Sequence, residues 1–417
     1  MKNTLLILML IPVITFAQSF LISDIPLPKT YIQNLDPYPC DEECMQEYID
    51  NDMIFSFLAH ANHKLESEEL NDVKTMNVSI LNLGSFSTDI KFKIAMLLPY
   101  KKIGKYATST TNSALSYLIT RNSSFELKSY KVNSEEFNEL NTTLNQIKKD
   151  GFKYVIATVT KKGADNISDI NSTLNIYFPT INKKDSNTTS KLLYYGAIDY
   201  EAQSDLLIKE SVSPLVIFYD NSSIGTKLAN YEEETFKNRI LDNNNFENMY
   251  MSVEEAKVFK FSIPRKTTNL EKQLKENEDI QNGSFFINTP IVKTSMIMSQ
   301  ITLYDSNATN VLSTQINYNP LILSMTQYDD RKNMIIANSI TKKNNVLIEI
   351  NSLLNNDIMY DWINYATTIG VDYFFNKLTN NERIYNIPLT NNQMQYDIEL
   401  ISPSLSKFSK YKTKSEH

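Results

Sequence analysis

A short unit occurs twice in this chain, and the repetition constrains the fold more than any other feature. Residues 94–107 read IAMLLPYKKIGKYA and residues 215–229 read LVIFYDNSSIGTKLA. Each is an apolar run, a polar turn, an Ile-Gly pair (Ile103-Gly104, Ile224-Gly225) and then a helical pattern. Apolar runs of this length read as strands buried on both faces, the habit of parallel sheets. A strand leading through a turn into a helix opens a βαβ unit. Two such openings, about 120 residues apart, predict an α/β chain of two Rossmann-like lobes with parallel sheets and a cleft between them.

The N-terminus reads as an address. Lys2 gives a positive start, and the apolar stretch from Leu5 to Phe16 is too short to cross a bilayer. Thr15-Phe16-Ala17 places small residues before a cut ahead of Gln18. Residues 1–17 are therefore expected to be a cleavable signal peptide and the protein to be periplasmic; an uncleaved N-terminal anchor is the alternative. No Cys follows the cut closely, so no lipid anchor is expected. No later segment holds 18 consecutive apolar residues, which predicts a soluble mature chain.

Hydrophobic residues make up 42% of the 417, with 20 Phe and 24 Tyr, ample for packed cores. Eight Gly are too few for glycine-rich phosphate loops or a β-barrel, and a net charge of −7 gives no sign of a nucleic-acid partner. The cysteines, Cys40 and Cys44, are expected to form one disulfide in an exported protein, with two free thiols as the alternative. Residues four apart on one helix face strain disulfide geometry, so a bridge requires a distorted first turn.

Along the chain, residues 18–88 are expected to be an N-terminal arm, with a helix over 41–65 and a strand at 76–83. A first α/β lobe is expected at 89–212 and a second at 213–403, the chain crossing back between them near 310–350. Residues 321–325 read as a strand, 357–378 as a long helix, and 404–417 as a frayed polar tail.

The order of strand, Pro-containing turn, helix, strand, helix and strand, with its second copy, resembles the type I periplasmic-binding-protein fold. The stretch PLVIFYDNSSIGTKLA is similar to that family's second-lobe opening, with an acid after the strand and a Gly at the helix start. Within the superfamily, YATTIGVDYFFNKL at 365–378 resembles the C-terminal helix of the penicillin-binding-protein activator (LpoA-like) lipoproteins, through Ala366, Gly370, Asp372 and Tyr373. The resemblance spans about 90–400 and departs from the solute binders where they hold ligand. They usually place Ser-Gly after strand one, where helix amides and a hydroxyl meet a carboxylate; here the residues are Tyr100-Lys101-Lys102. Their Gly-Pro after strand three is replaced by Thr158-Val159-Thr160. The activators' lipid-attachment Cys and helical-repeat domain have no counterpart.

Chemistry is sparse. His60 and His63, in H-A-N-H, share a helix face, and a solvated pair is favoured over a metal site; His417 sits in the tail. No G-x-S-x-G, P-loop or H-E-x-x-H occurs, and Asp329-Asp330 reads as a turn with a local ion pair. No catalytic residue, metal or cofactor is expected. Ligands of such folds bind outside the carboxyl ends of strands. The cleft candidates are Tyr100 and Lys101, Thr158 and Thr160, Asp199 and Tyr200, and Asp220 with Ser222. Four stretches match the extended acceptor pattern D/E-x-N-x-S/T of bacterial N-glycosylation, at Asn141, Asn171, Asn187 and Asn307.

The expected function is a non-catalytic envelope adaptor or activator working through a protein partner, as the activator resemblance implies. The alternatives are a solute-binding or sensing protein with a small polar ligand in the cleft, and an accessory component of an envelope secretion or motility machine.

Overall fold

A computed structural model of the chain describes residues 32, 34–36, 38–62, 65–81, 92–121, 123–186, 188–246 and 256–412. The expected signal peptide, His63, Asn187 and His417 lie outside the described residues. The chain divides into two compact units, 1–89 and 90–417.

The first unit holds helices α1 (Glu42–Asp50), α2 (Ile54–His60) and α3 (Glu68–Ile80) around a small core of Met45, Phe57, Leu58, Ala61, Leu65 and Leu70. The single helix expected over 41–65 is broken at 51–53, where Asp52 adopts a positive φ of 58°. The strand expected from 76 is, over its described part, the end of α3. Cys40 and Cys44 are bridged, with Cα atoms 5.4 Å apart. Cys40 stands just before the N-cap Asp41, outside the helix, which is how a four-residue spacing is closed. Asp41 accepts the Cys44 N–H at 3.0 Å. His60 is buried rather than solvated: its ring stacks on Tyr48 at 5.7 Å, and Nδ1 lies 3.2 Å from Asn34 Nδ2.

The second unit carries both lobes. The first lobe runs β1 (Phe92–Leu98), α4 (Tyr100–Ile103), α5 (Tyr106–Ile119), β2 (Phe125–Lys131), α6 (Phe137–Lys149), β3 (Tyr154–Ala157), α7 (Lys161–Ile170), β4 (Asn175–Phe178) and β5 (Leu193–Tyr195). The second continues with α8 (Tyr200–Lys209), β6 (Leu215–Tyr219), α9 (Ser223–Phe246), β7 (Val258–Ser262), α10 (Glu271–Leu274), β8 (Ser284–Asn288), α11 (Ile291–Leu303) and β9 (Asn310–Ser313). It goes on through α12 (Leu321–Met325), α13 (Tyr328–Arg331), β10 (Met334–Asn338) and α14 (Asn345–Leu353). The chain ends with α15 (Trp362–Thr379), β11 (Leu389–Thr390), β12 (Gln393–Met394), β13 (Glu399–Pro403) and β14 (Phe408–Lys410).

Two seven-stranded sheets result, in the orders β11-β12-β5-β4-β3-β1-β2 and β14-β13-β10-β9-β8-β6-β7. From β2 to β5 and from β7 to β10 the strands are arranged alike and parallel, which is the repeat seen in three dimensions. Among the described residues antiparallel pairing is confined to β11 with β12, β10 with β13 and β13 with β14. Central strands such as β8 and β10 are buried along their whole length, whereas edge strand β2 exposes Lys128 and Ser129 to water.

The chain meets the first lobe again from α14 onward: α14 and α15 pack on α5, α15 also packs on β3 and β1, and β12 pairs with β5. β11 and β12 lie in the sheet of the first lobe and β13 and β14 in that of the second. Two expectations are corrected. Residues 321–325 are a helical turn, because a five-residue apolar run fits either period. Part of the expected frayed tail is ordered, since β14 pairs with β13.

α15 is the keystone of the first lobe. The Tyr177 ring lies flat against Gly370, where a Cβ would fall 2.3 Å from Cε1. Its hydroxyl donates to the Ala366 carbonyl at 2.9 Å and closes against Gly196 on the other side. Two residues further on, fully buried Asp372 accepts from Tyr117 (2.9 Å), Arg121 (3.0 Å), Arg383 (3.1 Å) and the N–H groups of Ile384 (2.8 Å) and Tyr385 (3.2 Å).

Candidate functional site

The carboxyl ends of the parallel strands of both lobes carry the sequence candidates, and each is engaged differently. Tyr100 and Lys101 ride on the short α4; Tyr100 is 40% exposed and its hydroxyl donates to Asn133 Oδ1 at 3.0 Å. Thr158 is fully buried and donates to Thr110 Oγ1 at 3.2 Å, so it is closed to solvent.

Thr160 meets a residue that the sequence reading passed over. Its N–H donates to Glu135 Oε1 at 2.7 Å and its hydroxyl donates to Glu135 Oε2. Glu135, in the loop between β2 and α6, is only 3% exposed. Its carboxylate sits at the start of α7, where free amides and the helix dipole favour negative charge. Gly163 leaves room for it: a Cβ there would lie 2.8 Å from Glu135 Cδ. The chain thus supplies its own carboxylate to the start of α7.

Asp220 and Ser222 form a self-contained turn ahead of α9. Asp220 Oδ1 accepts from the Ser222 N–H (3.1 Å) and hydroxyl (2.5 Å), and Ser222 Oγ accepts from the Gly225 N–H at 3.0 Å. A Cβ at Gly225 would stand 2.3 Å from Asp220 Oδ1, which explains the Gly of the second copy; in the first copy Gly104 has open space and instead takes a positive φ of 55°.

Asp199 and Tyr200 lie where the chain first passes between lobes. Asp199 caps α8 through the Ala202 N–H (3.1 Å) and pairs with Lys184 at 2.6 Å. The Tyr200 ring stands edge-on to Trp362 at 6.2 Å. Burial, and after it the nearby Tyr106 and Asp361, push the Tyr200 hydroxyl up. Tyr106 is raised to about 12 by burial and then by Asp361. The starts of α5, α8 and α15 therefore converge on an aromatic cluster.

Beside it runs a chain of charges that joins the lobes. Lys184 reaches Asp199 and Glu201 (3.6 Å), and Lys227 on α9 reaches Glu201 (3.0 Å) and Asp185 (3.2 Å). Partial burial pulls both lysines down, but the carboxylates outweigh it and hold them above their ordinary value. A cavity of about 330 Å³ opens next to this chain, with Lys184, Asp199, Ser339 and Gln393 among its walls. Of the sequence candidates only Asp199 lines it.

Behind the second-lobe strand ends lies a buried polar cluster. Glu232 is fully buried on α9; it accepts from Asn288 Nδ2 at 2.5 Å and from the Ser204 hydroxyl at 3.0 Å. Burial pushes its carboxyl well above the usual range, and those two hydrogen bonds only partly offset it. Gln203, Gln315 and Ser339 interlock alongside. The sequence held a signal for Glu232: it lies four residues from both Leu228 and Phe236, on the apolar face of α9.

Among the described residues no group of three or more His, Cys, Asp or Glu is placed to hold a metal ion, and no helix is long and apolar enough to cross a membrane.

No known family model and no curated protein matches the chain in sequence. Solved structures match in fold. A Rhodospirillum rubrum protein assigned to branched-chain amino-acid ABC transport superposes with a TM-score of 0.57 at 9% identity, over 77% of this chain and 100% of its own. The Thermotoga maritima leucine-binding protein LivK gives 0.52 at 12%, over 77% and 98%. Full-length LpoA from Haemophilus influenzae gives 0.51 at 12%, over 88% of this chain and 65% of its own. The fold is that of the type I periplasmic binding proteins, a fold that LpoA shares.

Proposed function

We propose that this protein is a non-catalytic periplasmic adaptor of the cell envelope, acting through protein–protein contacts in the manner that the resemblance to cell-wall synthase activators implies. The observation that carries the reading is Glu135. Its buried carboxylate takes up the Thr160 amide and hydroxyl at the end of β3, one of the two places where the sequence departs from the solute binders. The fully buried Thr158 and the packed Tyr200–Trp362 pair support it. The solute-binding alternative draws on the cavity beside Lys184 and Asp199, which offers both signs of charge to a small polar molecule.

A thermal-shift screen against amino acids, short peptides and muropeptides tests the choice. The adaptor reading expects no strong stabiliser. A true ligand at 100 times its Kd would add about 2.7 kcal/mol, and a hit of that size overturns the reading in favour of a solute binder.

A further inference from the structure

The acceptor patterns are not equivalent once folded. Glu139-Leu140-Asn141-Thr142-Thr143 lies wholly inside the helix α6, with Asn141 only partly exposed and its −2 carboxylate engaged. Glu139 accepts from the Asn133 N–H (2.7 Å) and Ser134 N–H (3.0 Å), the Thr143 hydroxyl donates to the Glu139 carbonyl (2.9 Å), and Asn141 Oδ1 accepts from Asn145 (3.2 Å). Asn171 and Asn307 are different. Both are exposed, and neither side chain has a hydrogen-bond partner among the described residues. Asn171 follows the last residue of α7 with φ 50°, a left-handed conformation that Asn tolerates. Asn307 lies in the loop after α11, two residues beyond Asp305, itself at φ 50°.

Their positions in the fold coincide. The α7–β4 connection of the first lobe and the α11–β9 connection of the second are the same connection in the repeated unit. Asp169-x-Asn171-x-Thr173 and Asp305-x-Asn307-x-Thr309 therefore stand at equivalent corners, one per lobe. Both corners precede parallel strands, so they lie at the amino ends, opposite the cleft. Substituents there leave the strand carboxyl ends unobstructed.

We propose that Asn171 and Asn307 are N-glycosylation acceptors, occupied as a pair at the outer ends of the two lobes. The donor class is an oligosaccharide linked through diphosphate to a polyprenyl lipid. The Asn amide nitrogen bonds to the anomeric carbon, the carbon–oxygen bond to diphosphate breaks, the amide loses one proton to a base of the transferase, and the lipid diphosphate leaves. Nothing is oxidised or reduced. Asp169, Thr173, Asp305 and Thr309 are all exposed; the carboxylates at −2 are presented in both loops, and the Thr309 hydroxyl, which donates to the Asn282 carbonyl at 2.6 Å, must turn away from it to be recognised.

The test is glycopeptide mass spectrometry on full-length protein purified from its native host, together with Asn171→Gln, Asn307→Gln and Asn141→Gln variants made in that host. The expected result is one common glycan mass on the Asn171 and Asn307 peptides and a bare Asn141. Each of the first two variants loses one glycan, and Asn141→Gln loses none. Asp169→Ala and Asp305→Ala should reduce occupancy at the neighbouring Asn. Bare Asn171 and Asn307 in native protein, or a glycan on Asn141, overturn the proposal.

Discussion

Replacing Gly370 by Ala sets two well-calibrated effects against each other. Gly370 lies mid-way along the 18-residue α15, where intrinsic propensity favours Ala by about 1 kcal/mol. Packing opposes it. The new Cβ would lie 2.3, 2.4 and 2.8 Å from Tyr177 Cε1, Cδ1 and Cζ, whereas carbon atoms in contact prefer about 3.5–4.0 Å. The ring must retreat by about 1 Å, and it has nowhere to go: its hydroxyl is bonded to Ala366 and shut in by Gly196. Overpacking of this kind costs roughly 1–3 kcal/mol, often with backbone shifts. The larger end applies, because the obstacle is a fully buried ring and not the tip of a flexible chain. We expect a net loss of about 2 kcal/mol. Urea unfolding followed by the fluorescence of Trp362, the single tryptophan and the first residue of α15, reads it directly. In a Tyr177→Leu background the penalty should largely vanish, giving a coupling above about 1 kcal/mol in the double-mutant cycle. A Gly370→Ala protein as stable as the wild type, or more so, refutes the reasoning.

Two further outcomes follow from buried charge. Asp372→Ala leaves the Arg121 and Arg383 guanidinium groups facing an emptied buried site, and should cost about 3–5 kcal/mol in the same urea assay. Because the folded-state pKa of Glu232 is raised, the native protein keeps a proton that the unfolded chain gives up above its ordinary pKa. That contribution is complete below about pH 4.3 and is lost as pH rises, with a slope of at most about 1.4 kcal/mol per pH unit. Glu232→Gln should flatten this part of the stability–pH curve; an identical curve for both proteins would mean that Glu232 is ionised in the fold.

The legible parts of the fold were those where burial is two-sided. LVIFY and SFFIN announce strands with no help from their neighbours; Ile224-Gly225 lies in the opening turn of α9, whereas Ile103-Gly104 closes α4 just ahead of α5. What stayed hidden depended on distant partners. α7, with the sequence KKGADNISDI, is mostly polar and shows its apolar face only as Ala164, Ile167 and the half-buried Ile170, packed under the sheet. The terminal strands β11, β12 and β14 are two or three residues long, too short for any period. The candidate site was legible as a location, because strand ends follow from strands. Its occupant was not: Glu135 looks like any loop acid until Thr160, 25 residues away, folds onto it.

The first lobe is begun early and finished late. Its strands β1 to β5 come from residues 92–195, yet its core helix and its sixth and seventh strands come from 362–394. The bond between Tyr117 and Asp372 spans 255 residues. A chain emerging from a ribosome or a translocation channel therefore has no complete first lobe until nearly all of it is through. The strand β5 waits with an open edge, and the apolar face destined for α15 stays wet. Such a half-built lobe is a natural client for a holding chaperone. A truncation before residue 362 would cripple the part of the protein made first, while the second lobe, although it lies nearer the break, would keep its β6–β10 sheet.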